Sequence, residues 1–263
     1  MIFDLHCGTA PLLISCPHAG TEIPADIADR MLPAALDTPD TDWFVDRLYA
    51  FAKRLGASMI VPRYSRYVID LNRAPDGHAL YPGQRETGLV PSISFADQDL
   101  YRDGHVPDAT DIANRVTQYW RPYHQAIADE LQRLKQHHAQ VALWDAHSIL
   151  SEVPMFFSGR LPDLNLGTAS STSCAIELEL ALEEAMARQD QFTWIANGRF
   201  KGGYITRHFG KPEQGIHAIQ MEMAQRCYMD EAPPRWNDEK ALRAQQILER
   251  LLTTLLERLD PSC

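Results

Sequence analysis

Two histidines follow apolar runs at points where the chain turns. His18 comes directly after the run at residues 12–16, and His147 closes the run that begins at residue 141. The carboxyl ends of strands are where open α/β sheets bind ligands. If the two strands are neighbours, the imidazoles can share one site, as metal ligands or as general bases.

A carboxylate would complete a metal site of this kind. Two imidazoles and one acidic side chain suit zinc, because three protein ligands leave a fourth position for a water whose pKa falls to about 7. The acidic candidates are Glu22, Asp40, Asp42, Asp46 and Asp145. Asp145 shares a strand face with His147, so it could ligate the ion or orient that imidazole. The spacing leaves the choice among these acids open.

Guanidinium groups flank the segment at residues 65–73, which reads Ser-Arg-Tyr-Val-Ile-Asp-Leu-Asn-Arg. We predict a strand at residues 67–70, so that Arg66 and Arg73 lie at its two ends. In a chain of formal net charge −10, this concentration of arginines favours a local anion site over general surface positivity. Asn72 and Arg73 suit a bidentate carboxylate clamp, with the amide as an added planar donor.

Two later features also bear on chemistry. The segment 197–210 places cationic side chains among glycines but has neither dinucleotide nor P-loop spacing, so we interpret it as an anion-binding flap rather than a nucleotide site. Glu222 comes near the end of an apolar strand predicted at residues 217–221. Because an unpaired buried carboxylate is costly, Glu222 is our general-base candidate.

Composition limits the classes of partner. The chain has 263 residues, 25 Lys and Arg against 35 Asp and Glu, and five cysteines without a close pair. The acidic balance argues against nucleic acid, and no stretch is apolar and long enough to span a membrane. Scattered cysteines predict neither a disulfide framework nor a cysteine zinc site. We expect a cytoplasmic protein with a small acidic ligand, as a monomer or small homo-oligomer.

Short strand patterns alternate with amphipathic helical ones, which predicts an α/β fold with a mostly parallel central sheet in a single three-layer domain. The predicted strands are residues 12–16, 58–61, 67–70, 141–144, 192–195 and 217–221. The predicted helices are residues 41–55, 111–138 with an interruption at Pro122, and 237–259 with Asn237 as N-cap. We interpret the irregular stretches 72–108 and 148–172 as active-site loops.

The order of these features resembles the zinc carboxypeptidase and aspartoacylase superfamily, and more closely the N-formylglutamate amidohydrolases. The motifs that carry the resemblance are Ser-Cys-Pro-His-Ala-Gly (15–20), the 65–73 segment, Tyr-Pro-Gly-Gln (81–84), Pro-Tyr-His (122–124), Asp-Ala-His-Ser (145–148), the 197–207 segment and Gln-Met-Glu-Met (220–223). They cover nearly the whole chain. The resemblance implies a zinc-carboxypeptidase-like fold and hydrolysis of N-formyl-L-glutamate to formate and L-glutamate in histidine degradation.

The resemblance also implies roles for individual residues. The zinc ligands are His18, His147 and an acid, for which we favour Asp42 over Glu22. Glu222 is the base that activates water, and Asn72 with Arg73 holds a glutamate carboxylate. The further substrate-binding or oxyanion candidates are Arg66, Tyr204 and Arg207. The cofactor is then Zn²⁺ or another divalent metal.

Three other functions remain open at the level of sequence, one of which is an oligomeric scaffold built on the last predicted helix. Another is a zinc amidase acting on another N-acylated acidic amino acid. The third is a non-catalytic binding protein for an acidic metabolite, in which the arginines bind and the histidines are structural.

Overall fold

A seven-stranded sheet forms the centre of the molecule. The computed structural model describes residues 1–78 and 85–259. The strands are β1 (Phe3–His6), β2 (Leu12–Ser15), β3 (Ser58–Pro62), β4 (Val141–Ile149), β5 (Leu164–Gly167), β6 (Trp194–Ala196) and β7 (Ile216–Ala224), in the order β1-β3-β2-β4-β7-β5-β6. The pairs β3-β2, β2-β4, β4-β7 and β5-β6 are parallel, whereas β1-β3 and β5-β7 are antiparallel. The predicted α/β fold with a mostly parallel sheet is confirmed.

Helices cover both faces of this sheet. They are α1 (Ala25–Ala28), α2 (Val45–Leu48), α3 (Ala109–Arg115), α4 (Arg121–Lys135), α5 (Ile176–Ala187), α6 (Tyr204–Phe209) and α7 (Asp238–Leu259). A small antiparallel hairpin adds β8 (Met229–Glu231) and β9 (Pro234–Trp236). None of the helices within residues 1–78 and 85–259 is long and apolar enough to cross a membrane.

Two apolar cores sandwich the sheet because successive side chains of a strand point to opposite faces. Ile14 and Trp144 pack on one face with residues of α2, α5 and α7. Leu13 and Leu143 pack on the other face with residues of α4. These cores make the three layers and hold β2 and β4 as rigid supports for the residues at their carboxyl ends.

One predicted strand is wrong. Residues 67–70 form a buried, irregular segment with no strand pairing. Their β-branched and aromatic character reflects burial, because Tyr67 and Val68 pack in an apolar cluster with Met31, Leu100 and Tyr101. Side chains of other elements, rather than a neighbouring strand, satisfy part of the backbone.

The helix predictions hold in outline and differ in detail. The helix predicted at 41–55 is α2 followed by a 3₁₀ helix at Ala50–Leu55, which ends at Gly56 with φ of +77°. The long helix at 111–138 is interrupted by a π-helical turn at Val116–Trp120, just before Pro122. The final helix starts as predicted, since Asn237 Oδ1 accepts from Lys240 N at 3.1 Å. β5 lies within the stretch 148–172, which we expected to be a loop throughout.

Candidate metal centre and active site

His18 and His147 meet because their strands are neighbours. β2 pairs in parallel with β4, with Ser15 opposite Asp145. His18 lies three residues beyond Ser15, and His147 lies near the carboxyl end of β4. Their buried imidazole rings have centroids 4.8 Å apart. The two strands are therefore neighbours, as a site shared by the two histidines requires.

Asp42 completes a compact cluster with the two histidines. Its Oδ2 atom lies 3.0 Å from Nδ1 of His147 and 3.7 Å from Nδ1 of His18. One ligand atom from each of the three buried residues lies within 4.8 Å of the others. Asp42 lies on the turn before α2, where its N–H donates to the His18 carbonyl at 3.1 Å. Two imidazole nitrogens and one carboxylate oxygen are a donor set that fits zinc with an open fourth position.

The far nitrogen of each imidazole faces a second carboxylate. Nε2 of His18 lies 2.7 Å from Oδ1 of Asp70, and Nε2 of His147 lies 3.2 Å from Oδ1 of Asp145. Both carboxylates are fully buried. At His18 this contact favours a proton on Nε2, which leaves Nδ1 facing Asp42 as a candidate ligand atom. Of the two roles open to Asp145, the geometry favours orienting His147.

The buried charges stabilise one another. Burial alone would lower the pKa of His147, but the Asp145 and Asp42 carboxylates outweigh burial and raise it well above the usual range. Burial would raise the pKa of Asp42, but His18 and His147 hold it below its usual value. Likewise, burial is outweighed at Asp70, whose pKa His18 and Arg66 hold well below the usual range. Asp42 and Asp70 are thus kept ionised beside the imidazoles, as charge pairing and metal ligation both require.

Arg66 links two of these acids. Its Nη2 donates to Oδ2 of Asp70 at 2.7 Å, and its Nη1 lies 3.7 Å from Oδ1 of Asp42. The guanidinium carbon lies 4.8 Å from the ring centroid of Phe95. Within residues 1–78 and 85–259, Nε of Arg66 is buried without a hydrogen-bond partner. Arg66 lines the site cavity together with His18, Asp42 and His147, so its charge faces these candidate ligands and the space beside them.

Glu222 lies at the edge of the same cluster. It stands opposite His147 in the register of β7 and β4 and is buried. Burial raises its pKa to about 8, and the Asp42 and Asp145 carboxylates push in the same direction, against His147 and Arg66. A carboxyl group with a pKa near neutrality can both take up and release a proton, as a general base requires.

The side-chain amide of Asn72 is hydrogen-bonded within the protein. Its Oδ1 accepts from Ile205 N at 2.8 Å, and its Nδ2 lies 3.3 Å from Oδ2 of Asp145 and 2.9 Å from Nε2 of His147. The amide that we expected to clamp a substrate carboxylate therefore braces the imidazole of His147 and the start of α6. Asn72 and Arg73 both line the cavity, and the Nε and Nη1 atoms of Arg73 donate to the carbonyls of Thr87 and Asn72.

Three further candidates lie elsewhere. Glu22 is on the surface, where its carboxylate pairs with Arg63 at 3.3 Å, so it lies apart from the candidate metal ligands. Tyr204 packs on Trp120, and its hydroxyl lies 3.2 Å from His208 Nδ1. Arg207 is exposed and donates to the Gly202 carbonyl at 3.0 Å. Among the described residues, the wall of the cavity includes neither Tyr204 nor Arg207.

The cavity beside the cluster has a volume of about 580 Å³, including its open mouth. The lining residues to which the sequence analysis gave no individual role are Glu86, Phe95, Ser148, Ile149, Phe156, Arg199, Phe200, Gly203 and Gln220. They come from the two stretches interpreted as active-site loops, from the glycine-rich segment and from β7. The sequence does carry a signal for these loops, because aromatic residues such as Phe95 and Phe156 in long polar segments indicate that the segments pack against the protein. The motif at residues 81–84 lies outside the described residues.

Similar proteins agree on one enzyme family. A family model described as N-formylglutamate amidohydrolase matches residues 10–229. The chain is 46% identical over 250 residues to an N-formylglutamate deformylase of Pseudomonas aeruginosa, covering 95% of this chain and 94% of that protein. It is 43% identical over 256 residues to an N-formylglutamate deformylase of Pseudomonas putida, covering 97% and 96% of the two chains.

Solved structures agree on the fold. The crystal structure of N-formylglutamate amidohydrolase from Ralstonia eutropha JMP134 superposes with a TM-score of 0.82 at 25% identity, covering 99% of each chain. A gene product of Agrobacterium tumefaciens has a TM-score of 0.73 at 18% identity, covering 98% of this chain and 96% of that one. The second likeness concerns the fold alone.

Proposed function

Because the chain belongs to the N-formylglutamate amidohydrolase family, we propose that it hydrolyses N-formyl-L-glutamate to formate and L-glutamate in histidine degradation, with a divalent metal, zinc, held by His18, Asp42 and His147. One observation carries this proposal. The three buried ligand atoms within 4.8 Å of one another open onto a cavity that is also lined by Glu222, Arg66 and Arg73. A metal site, a base and cations for an acidic substrate thus share one space.

The bound ion and the side chains of the site have different roles in the proposed reaction. A zinc ion bound at the cluster would lower the pKa of a water molecule and polarise the formyl oxygen. Glu222 accepts the proton of the attacking water and passes it to the nitrogen of the departing glutamate. Its pKa of about 8 suits both halves of that transfer. Asp70 and Asp145 keep the imidazoles oriented while the charge in the site changes.

The cationic wall accounts for an acidic substrate. Arg66, Arg73 and Arg199 line the cavity, whereas the chain as a whole has a net charge of −10. Arg73 is held through two of its nitrogens by loop carbonyls, which orients its guanidinium for a carboxylate. Arg199 lies over the Phe156 and Phe200 rings, at 5.7 and 5.4 Å. These arginines are our candidates for the carboxylates of N-formylglutamate.

The direct test compares related substrates. Purified protein is assayed for amine release from N-formyl-L-glutamate, N-acetyl-L-glutamate and N-formyl-L-leucine. We expect turnover of the first, with much lower kcat/KM for the acetyl compound and for the substrate that lacks the second carboxylate. Equal kcat/KM for formyl-glutamate and formyl-leucine would contradict a site built for a dicarboxylate. Absence of turnover with every substrate would contradict the enzyme itself.

A further inference from the structure

The segment at residues 66–73 carries four residues of the site, yet it is neither strand nor helix. Arg66, Asp70, Asn72 and Arg73 all lie on it. Its carbonyl groups lack the ladder partners of a sheet, and buried backbone groups need partners from elsewhere. Something outside the segment must therefore fix its path.

Three side-chain donors from one helical rod bind these carbonyls. Nη1 of Arg115 donates to the carbonyl of Val68 at 3.0 Å. Nε2 of His124 lies 2.8 Å from the carbonyl of Leu71, and Nε1 of Trp120 donates to the carbonyl of Arg73 at 3.0 Å. Because a carbonyl can only accept, Nε2 of His124 carries the proton. The three carbonyls lie between Val68 and Arg73, so the donors hold most of the segment.

The π-helical turn between α3 and α4 places these donors. In an α-helix, residues four apart lie about 40° apart around the axis, so Trp120 and His124 share a face, whereas residues five apart lie about 140° apart. Within the turn Val116–Trp120, Arg121 N donates to the Val116 carbonyl five residues back. The wider turn takes up one extra residue and so rotates Arg115 towards the face of Trp120 and His124.

The donors are held rigidly. The rings of Trp120 and His124 stack with centroids 3.7 Å apart and an interplanar angle of 16°. The ring of Phe209 lies parallel on His124 at 5.8 Å. Arg115 is buried, and its Nη1 is also 2.9 Å from the hydroxyl of Tyr101. Because this packing restrains the three donor side chains, they hold the carbonyls that they bind in fixed positions.

We propose that Arg115, Trp120 and His124 are positioning residues, brought to one side of the helix by the π-helical turn, which hold segment 66–73 and thereby place Asn72 and Arg73 in the site. None of the three lines the cavity. They act through backbone carbonyls, two of which flank Asn72 directly. The kinetic consequence rests on the function proposed above, whereas the effect on the segment does not.

The first measurement is hydrogen exchange of the peptide that covers residues 66–74. Trp120→Phe keeps an aromatic side chain and removes the indole donor, and His124→Leu removes the imidazole donor. We expect exchange in this peptide to become about 3- to 10-fold faster in each variant, because each loses one hydrogen bond that holds the segment. His124→Gln, which keeps an N–H donor, should restore part of the protection. Trp236→Phe is the matched control, since its indole binds Asp238 at 2.8 Å away from the segment.

The second measurement is steady-state kinetics with N-formyl-L-glutamate. Trp120→Phe should raise KM by about 3- to 10-fold with a smaller change in kcat, because it loosens Arg73, while Trp236→Phe should change neither. Exchange of the 66–74 peptide within twofold of wild type in both Trp120→Phe and His124→Leu would overturn the proposal. If Trp120→Phe does not fold, the comparison of His124→Leu with His124→Gln decides it. If the wild type lacks turnover, the proposed function fails and the exchange result still stands.

Discussion

Glu222 and His147 stand directly opposite each other on the parallel strands β7 and β4. The register of two buried strands therefore sets the general-base candidate beside a metal-ligand candidate, without help from a loop. Asp145 belongs to the same strand as His147 and supports that imidazole from two residues upstream. The sheet thus holds a candidate ligand, a carboxylate that can orient it and the candidate base in one rigid unit.

Replacing Glu222 should separate binding from turnover. Glu222→Gln keeps the size of the side chain and removes its ability to take a proton, so we expect kcat to fall by about 10²- to 10⁴-fold with zinc content unchanged. Glu130→Gln is the control, because Glu130 is also a buried glutamate but binds Arg133 and Ser58 far from the cavity. Steady-state kinetics and metal analysis check both variants. A kcat within threefold of wild type would remove Glu222 from the mechanism.

Substituting Arg73 should weaken substrate binding. Arg73→Lys loses the planar fork that matches a carboxylate, and we expect KM for N-formyl-L-glutamate to rise by about tenfold, equivalent to about 1.4 kcal/mol. Arg63→Lys, at a surface arginine that pairs with Glu22, should leave KM unchanged. An Arg73→Lys variant with the KM of wild type would refute this role for Arg73.

A single methyl group at Gly203 should disturb the site through Asn72. A Cβ at Gly203 would lie 2.2 Å from Nδ2 and 2.4 Å from Oδ1 of Asn72. Because the amide of Asn72 braces His147 and α6, Gly203→Ala should lower kcat/KM at least tenfold and destabilise the fold by about 1–3 kcal/mol. Gly88→Ala is the matched change, since its nearest contact would be 3.8 Å away. Kinetics and urea unfolding of the two variants compare these effects, and equal behaviour would contradict the steric argument.

The stability of the fold should depend on pH through His124. Burial lowers the pKa of His124 to about 3, whereas an unfolded histidine titrates near 6.5. Between these values the unfolded chain binds a proton that the folded chain does not, so stability falls as the pH drops below about 6.5, by at most about 1.4 kcal/mol per pH unit. Urea unfolding between pH 7 and pH 5 should show a shallower loss in His124→Gln than in wild type. Identical pH slopes would mean that His124 does not contribute.

Local sequence patterns predicted much of the sheet because its central strands are buried on both faces. Continuous apolar runs mark such strands, and residues 12–16, 141–144 and 217–221 all coincide with them. The same rule failed at residues 67–70, where the burial is real but side-chain donors replace a neighbouring strand. An apolar run thus predicts that a segment is buried. It does not by itself predict that the segment pairs with a neighbouring strand.

Site residues that lie on a strand could be predicted from the sequence. Contacts between residues distant in sequence were harder to predict. His147, Asp145 and Glu222 could be located from their strand positions. The contact between Asp42 and the two histidines depends on the turn before α2 returning to the loop at His18, where Asp42 N–H donates to the His18 carbonyl, and no spacing rule encodes this return. The bracing role of Asn72 depends on residues 145, 147 and 205, three partners that are distant in sequence. Arg199 rather than Arg207 reaches the cavity because α6 turns the later arginine outward.

The most direct test of a metal-dependent deformylase built on Asp42 is the return of activity when zinc is added to stripped protein. Formate release from N-formyl-L-glutamate is followed during zinc titration for wild type, Asp42→Asn and Glu22→Gln. We predict that the stripped wild type is inactive and recovers fully at one zinc per chain, that Glu22→Gln behaves identically, and that Asp42→Asn does not recover at this ratio. Full turnover by the stripped wild type, or recovery of Asp42→Asn alongside the other two, would contradict the account.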